Sequence, residues 1–215
     1  MGRLNIYSGN ALQCSFPRVL SASLCDKLSG ERTLDFSVLA SRSQPMAVGM
    51  TAELDGQYYN IVRLSKRIVG GFPVTTAQCE HISYILNDEV YNLVTFVFEG
   101  TPTEGLTELL SGTPFSVGIV EEPKRVEAAF TDQSPLSRRN ALMRFIDACG
   151  CEVEYDGYVI HLRKHRGSTV RKPLMDGENV TNLSVTIDGR ENTAAYEISL
   201  FKMADLQAGD EVNIT

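Results

Sequence analysis

The chain has 215 residues, 43% of them hydrophobic and 22% charged, with 27 Asp and Glu against 20 Lys and Arg, a net charge of −7. That size and composition suit a soluble globular protein with one large core or two small ones, and the acidic balance disfavours gripping nucleic acid, whose phosphates demand cations. The longest apolar stretch, residues 91–98, is far below the roughly 20 residues of a membrane-spanning helix, and the opening MGRLNIYSGN lacks the basic-then-apolar pattern of a secretory leader.

The first third reads as β. Val19 to Leu39 is β-rich with a break at Ser29-Gly30, and Ala77 to Leu86 is a further β-rich run. Between them lies the clearest hairpin, Met50 to Leu64, turning at Asp55-Gly56, a dipeptide that favours the type I′ turn. At Gly100 the character changes. Thr101-Pro102-Thr103-Glu104 predicts a helix start with a Thr cap, Pro at the first helical position and Glu at the capping-box position. Leu106, Leu109 and Leu110 then give one apolar face, Gly112 the stop, and PFSVGIV a strand.

Ser134-Pro135 predicts the opening of a longer helix. Leu142, Phe145, Ile146 and Cys149 make its apolar face, Arg138, Arg139, Arg144 and Asp147 its other side, and Gly150 its end. CEVEY, Asp156-Gly157 and YVIHL then read as a second hairpin. A two-residue Asp-Gly loop pairs Tyr155 with Tyr158, Val153 with Ile160 and Cys151 with Leu162, all on one face. Arg163 to Lys172 reads as an exposed basic connection. Asn182 to Leu200 is β with a turn at Asp188-Gly189, and AGDEVNIT near the end reads as a turn and a strand start.

Five cysteines, an odd number at irregular positions (Cys14, Cys25, Cys79, Cys149 and Cys151), fit reduced thiols made in a cytoplasm better than a disulfide framework. Candidate chemistry is sparse. Cys79 and His81 share a strand face, but a working thiol–imidazole pair normally comes from distant segments, so buried packing is the favoured reading. Cys149, Cys151, His161 and His165 suggest zinc only weakly, because C-x-C is tighter than the usual ligand spacing. Glu121, Glu122, Glu152 and Glu154 read as solvated charges. No catalytic, cofactor-binding or metal residue is therefore assigned, and no cofactor is expected. The basic run from Arg163 to Lys172 reads as a solvated connector rather than a nucleic-acid contact.

Four stretches, taken in order, resemble one family. SGERTLDFSVL is similar to an early NGE-x-x-L-x-F strand pair, LDGQYYNIVRL to a DGQ-x-Y-x-I hairpin, and FEGTPTEGLTELLSGTPFSVGIV to a helix leading into L-x-GTxWxVG. RRNALMRFIDACGCEVEYDGYVIHLRKHRG is similar to a later helix, hairpin and basic end. The family is the phage minor structural protein, or tail-associated lysin (prophage endopeptidase tail) family, in its N-terminal baseplate-hub region. Phe115 stands where the family often has Trp, and DGENVTNLSV and TAAYEISL depart from its usual YGKNL and TRLYPYG.

The resemblance implies an α+β, mainly β fold: a tail-tube-like β-barrel domain over residues 1–86, a peripheral α/β insertion over 87–172, and a return to the tube region over 173–215 that begins an incomplete second barrel. It implies a non-enzymatic structural component of a phage or prophage tail tip, located in the virion tail and made in the bacterial cytoplasm. Its expected partners are two further copies in a trimer that continues the tail tube, together with distal tail and tail-tube proteins. DNA would pass through the lumen without specific binding, helped by the negative balance. Any lytic activity would lie in a C-terminal region beyond these residues. The alternatives are a cell-wall hydrolase, a glycan-binding tail module, and the hub of a related contractile injection or secretion machine.

Overall fold

Asp55 and Gly56 both adopt positive φ, 52° and 79°, the geometry of a type I′ turn. They join β5 (Thr51–Leu54) to β6 (Gln57–Val69) as the sequence predicts. The computed structural model describes residues 3–28, 30–39, 45–131 and 135–167, and the backbone of 172–174, 180–188, 193–200 and 212–214. Residues 2–165 form one compact unit and residues 166–215 a second.

In the first unit, β1 (Leu4–Ser8), β2 (Ala11–Phe16), β3 (Ser21–Asp26), β4 (Arg32–Leu39) and β7 (Phe72–His81) join that hairpin in one seven-stranded antiparallel sheet, ordered β2-β1-β5-β6-β7-β4-β3. It curls into a half-barrel with β2 and β3 as its two edges. Alternate residues point inward, so Leu4, Ile6, Leu34, Phe36, Val38, Ala52, Tyr59, Ile61, Ala77 and Cys79 fill the concave core. Two boundaries differ from expectation. β6 runs on to Val69 because Gly70-Gly71, at φ 58° and 83°, makes a second tight turn into β7. Conversely, β7 stops at His81, and residues 82–86 are not strand. Ile82–Asn87 is a short 3₁₀ helix capped by the His81 imidazole, which accepts from the Ser83 amide. Ile82, Ser83 and Leu86 turn inward at helical spacing.

A second core lies under two helices. The first, α1 (Pro102–Leu110), carries the predicted capping box: Glu104 N donates to Thr101 Oγ1, and Thr101 N donates to the Glu104 carboxylate at 2.8 Å. The longer helix, α2, spans Arg138–Cys149 and starts later than predicted, with Ser137 as its cap, because Leu136 is held extended by a β-bridge to Leu93. Gly150, at φ 64°, ends it as expected. The helices cover β8 (Phe96–Gly100) paired with β10 (Val126–Phe130), and a three-stranded sheet in which β12 (Val159–Arg163) lies between β11 (Glu152–Asp156) and β9 (Ser116–Val120).

The β11–β12 hairpin pairs Tyr155 with Ile160 and Val153 with Leu162, two positions away from the predicted register. The loop is Gly157-Tyr158 rather than Asp156-Gly157, with Gly157 at φ 57° in the first loop position, where a type II′ turn takes glycine. A two-residue slip preserves the faces, so Val153, Tyr155, Ile160 and Leu162 are still the buried set, while Tyr158 is exposed. β12 pairs with β9 in parallel, and where their register breaks, His161 Nδ1 accepts from the Ile119 amide at 2.8 Å.

Close approach at Gly105 locks α1 onto α2. A Cβ at this position would sit against the Phe145 and Phe98 rings closer than real Cβ atoms approach, and Phe145 is fully buried. Gly105→Ala is expected to lower stability by about 1–3 kcal/mol through overpacking, despite the gain in helix propensity. The midpoint of a urea titration reads this, and an unchanged midpoint contradicts the packing.

In the second unit, β13 (Lys172–Leu174) pairs in parallel with β16 (Val212–Ile214), and β14 (Val180–Asp188) pairs with β15 (Thr193–Leu200). The predicted strand over 182–200 and the late strand start are present. The Asp188-Gly189 turn falls partly on residues 189–192, outside the described residues.

Candidate functional site

The feature that chemistry singles out is a buried polar joint between the curled sheet and the helical core. β7 ends there, β11 and α2 face it, and the β5–β6 turn closes it. Arg139 on α2 is only 8% exposed. Its guanidinium donates to Gly30 O at 2.7 Å and Ser83 Oγ at 3.0 Å, approaches Tyr155 Oη at 3.5 Å, and lies 3.8 Å over the centre of the Tyr84 ring. Arg32 on β4 donates to Tyr155 O at 3.1 Å, and its Nε stands 4.0 Å from Asp26. One buried cation, Arg139, and one half-buried cation, Arg32, are thus held mainly by neutral oxygens and a π-face, arrangements worth more in a low-dielectric interior than in water.

His81 lies between them, fully buried. Its Nδ1 accepts from the Ser83 amide at 3.2 Å, so the ring proton sits on Nε2, 3.4 Å from Gln57 Oε1. The same Gln57 oxygen accepts from the Gly157 amide at 3.1 Å, and Gln57 Nε2 reaches Asp156 at 3.4 Å. One side chain of the sheet thereby holds the tip of the β11–β12 hairpin. The Tyr155 ring packs 4.8 Å from the imidazole, and the Tyr59 ring meets it edge-on at 5.5 Å.

Burial, with Arg32 and Arg139 adding repulsion, pushes the His81 pKa down from 6.5 to about 3. The imidazole is neutral in the folded protein, whereas the unfolded chain takes up a proton as pH falls through 6.5. This contribution to stability is therefore complete above pH 6.5 and is lost progressively as pH falls toward about 3. Between pH 7 and pH 5 the unfolding free energy is expected to drop by about 2 kcal/mol. Urea titrations at both pH values measure this, and His81→Gln should flatten the profile. A wild-type profile already flat over that interval contradicts the account.

The other sequence candidates take structural places. Burial pushes the Cys79 thiol up to about 12, so Cys79 and His81 are both held uncharged, the opposite of an activated thiolate pair. Cys149 is likewise pushed up to about 12, and Cys151 Sγ lies 3.7 Å from Cys149 O. His161 is engaged with Ile119, and His165 stands 3.7 Å from Glu152. No group of three or more His, Cys, Asp or Glu able to hold a metal occurs among the described residues. Glu121 and Glu154 both pair with Arg163, at 2.9 and 2.6 Å, and Glu122 accepts from the Lys124 amide. The described part of the basic run is not the exposed connection expected: Arg163 belongs to β12 and is clamped by two carboxylates, Lys164 stands 3.9 Å from Glu122, and Arg166 is buried, while residues 168–171 lie outside the described residues.

Arg139 corrects the sequence reading, which places it on the solvent side of α2. It precedes Leu142 by three residues and Ile146 by seven, so its spacing sets it on the buried face. Arg138 is also engaged, donating to the carbonyls of Tyr91, Leu109 and Ser111.

The chain shares its fold with three solved tail proteins. The prophage tail protein gp18 from Listeria monocytogenes EGD-e superposes with a TM-score of 0.56 at 10% identity, over 99% of this chain and 64% of its own length. A tail protein from Neisseria meningitidis MC58 gives 0.59 at 9% identity, over 100% of this chain and 72% of that one. The 43 kDa tail protein of prophage MuSo2 from Shewanella oneidensis gives 0.62 at 11% identity, over 99% and 73%. The chain therefore spans just under two thirds of the Listeria protein. No protein-family profile matches it, and no curated protein sequence does. At these identities the likeness is one of fold.

Proposed function

We propose that this chain is a structural component of a phage or prophage tail. Its place is the tail tip, where it acts as a baseplate hub and trimeric adaptor continuing the tail tube. The observation that carries this reading is the fold match over nearly the whole chain to tail proteins from three different bacteria. In this reading residues 1–86 form the tube-type domain, residues 87–172 its peripheral α/β insertion, and residues 173–215 the return to the tube region. The polar joint suits that role. It fixes the helical core against the half-barrel with directional bonds, so a load on one is transmitted to the other without slippage.

The work is done by protein–protein surfaces, with distal tail and tail-tube proteins as neighbours and DNA passing through the lumen without specific binding. The one thiol–imidazole candidate consists of two groups held neutral by packing. The negative charge does not reside on the sheet. Residues 1–86 carry eight Lys and Arg against six Asp and Glu, a net +2, so electrostatic smoothing of a lumen would fall to the rest of the assembly.

In-frame deletion of the gene in a lysogen, followed by induction, tests the proposal. Filled heads without complete tails, with infectivity restored by supplying the chain in trans, is the expected result. Infectious particles at the parental titre would overturn it.

A further inference from the structure

The β6–β7 hairpin runs on beyond the core it helps to form, and its far end is both apolar and basic. Ile68 is 72% and Phe72 63% exposed, with Val62 and Val69 also in solvent. The register pairs Val69 with Phe72 and Ile68 with Pro73 across the Gly70-Gly71 turn, which puts apolar groups on both faces of the tip. Residues 57–79 contain Arg63, Lys66 and Arg67 and no carboxylate. Lys66 donates to Met46 O, and among the described residues no ion pair engages Arg63 or Arg67. Exposed apolar clusters rimmed by charge mark interaction surfaces.

A surface of opposite character lies elsewhere on the same chain. Residues 87–165 hold 13 Asp and Glu against seven Lys and Arg, a net −6. The two-stranded β8–β10 sheet turns Phe96, Ala128 and Phe130 into the core and leaves Val97, Glu99, Glu127 and Ala129 on its open face. There the register sets Val97 beside Ala129 and Glu99 directly opposite Glu127. Like charges facing one another across strands are destabilising. The neighbouring Arg125 reaches Glu99 at 3.5 Å, one cation for two carboxylates. The face is thus an apolar pair joined to an acidic pair, and a further cation would relieve it.

We propose that these two surfaces recognise each other between copies of the chain. The basic, apolar tip of the β6–β7 hairpin docks on the open β8–β10 face of a second copy, with the face that carries Val69 and Phe72 against Val97 and Ala129, and Arg67, on that same face, toward Glu99 and Glu127. Because the two patches differ, the contact is heterologous. Repeated from copy to copy, it builds a ring where the rotation closes. This deepens the tail-assembly reading by naming the surfaces of self-contact. It is tested in solution rather than in particles, so its failure is distinguishable from failure of that reading.

Sedimentation equilibrium of the purified 215-residue chain, from about 10 µM to about 1 mM, covers the range of weak interfaces. Concentration-dependent self-association that weakens as salt rises is expected. Arg67→Glu and Glu127→Arg should each weaken it by about tenfold, and the double exchange should restore it. Phe72→Asp, which changes only an exposed tip residue, should abolish it. A monomer across the whole range would overturn the proposal, as would association that Phe72→Asp and Arg67→Glu leave unchanged. Binding of the tip to vesicles containing anionic lipid, without self-association, would overturn it in favour of a lipid occupant.

Discussion

Replacing Arg139 by alanine is expected to lower the unfolding free energy by about 3 kcal/mol. The guanidinium ties α2, the Gly30 turn of the sheet and the 3₁₀ helix after β7 together, through Gly30 O, Ser83 Oγ and the Tyr84 ring. Two effects oppose each other in this substitution. Removing a buried cation relieves its desolvation penalty, but it leaves the Gly30 carbonyl without this donor, takes one bond from the Ser83 hydroxyl, which keeps Tyr155, and opens a void beside Tyr155. Each buried group so orphaned costs about 1–3 kcal/mol, so the loss prevails. Arg139→Lys should recover little, since an ammonium lacks the planar fork that spans two acceptors. Urea denaturation monitored by tyrosine fluorescence reads both variants, and a loss below about 1 kcal/mol for Arg139→Ala would mean that the joint is not a stabilising element.

Phe145→Ala should be about as damaging or worse, at about 3–5 kcal/mol. The ring is fully buried and meets Phe96 at 5.9 Å and 87° and Phe98 at 5.9 Å and 79°, both edge-on. Phe96 in turn stacks at 5.7 Å on Phe130. Truncation removes the hub of this aromatic cluster. It also leaves a cavity beside Gly105, where the helix backbone cannot move in to fill it without breaking the close approach. Phe145→Leu should cost about 1.5 kcal/mol or less by keeping much of the volume. The same titration distinguishes them, and equal losses for the two substitutions would contradict an aromatic packing role.

What was legible in the sequence was local. The Asp55-Gly56 turn, the Thr101–Glu104 capping box and the Gly150 stop are each decided within a few residues by dihedral preference or a single cap bond, and the structure has all three. The β11–β12 register misled because Asp-Gly is a strong type I′ signal. Here the glycine opens the loop instead, and the two-residue slip leaves no trace in the hydrophobic pattern because alternation keeps the same residues inside. Gly70-Gly71 is an equally readable turn, and it carries β6 past the Leu64 end of the expected hairpin. The joint was not legible as a site. Arg32, Gln57, His81, Arg139 and Tyr155 come from five separate elements, and only the packing of the sheet against the helical core makes them neighbours. Arg139 alone left a trace, in its helical spacing from Leu142 and Ile146.

The fold match is one of shape at about a tenth identity, so a structural place in the tail is decided by where the protein is found. Immunogold electron microscopy of induced particles, with antibody raised against residues 1–215, tests it most directly. Gold is expected to be confined to the distal end of the tail, on intact particles or, where the epitopes are covered, on particles with disrupted tips. Label spread along the tube, or antigen confined to the soluble fraction of the lysate, would contradict it.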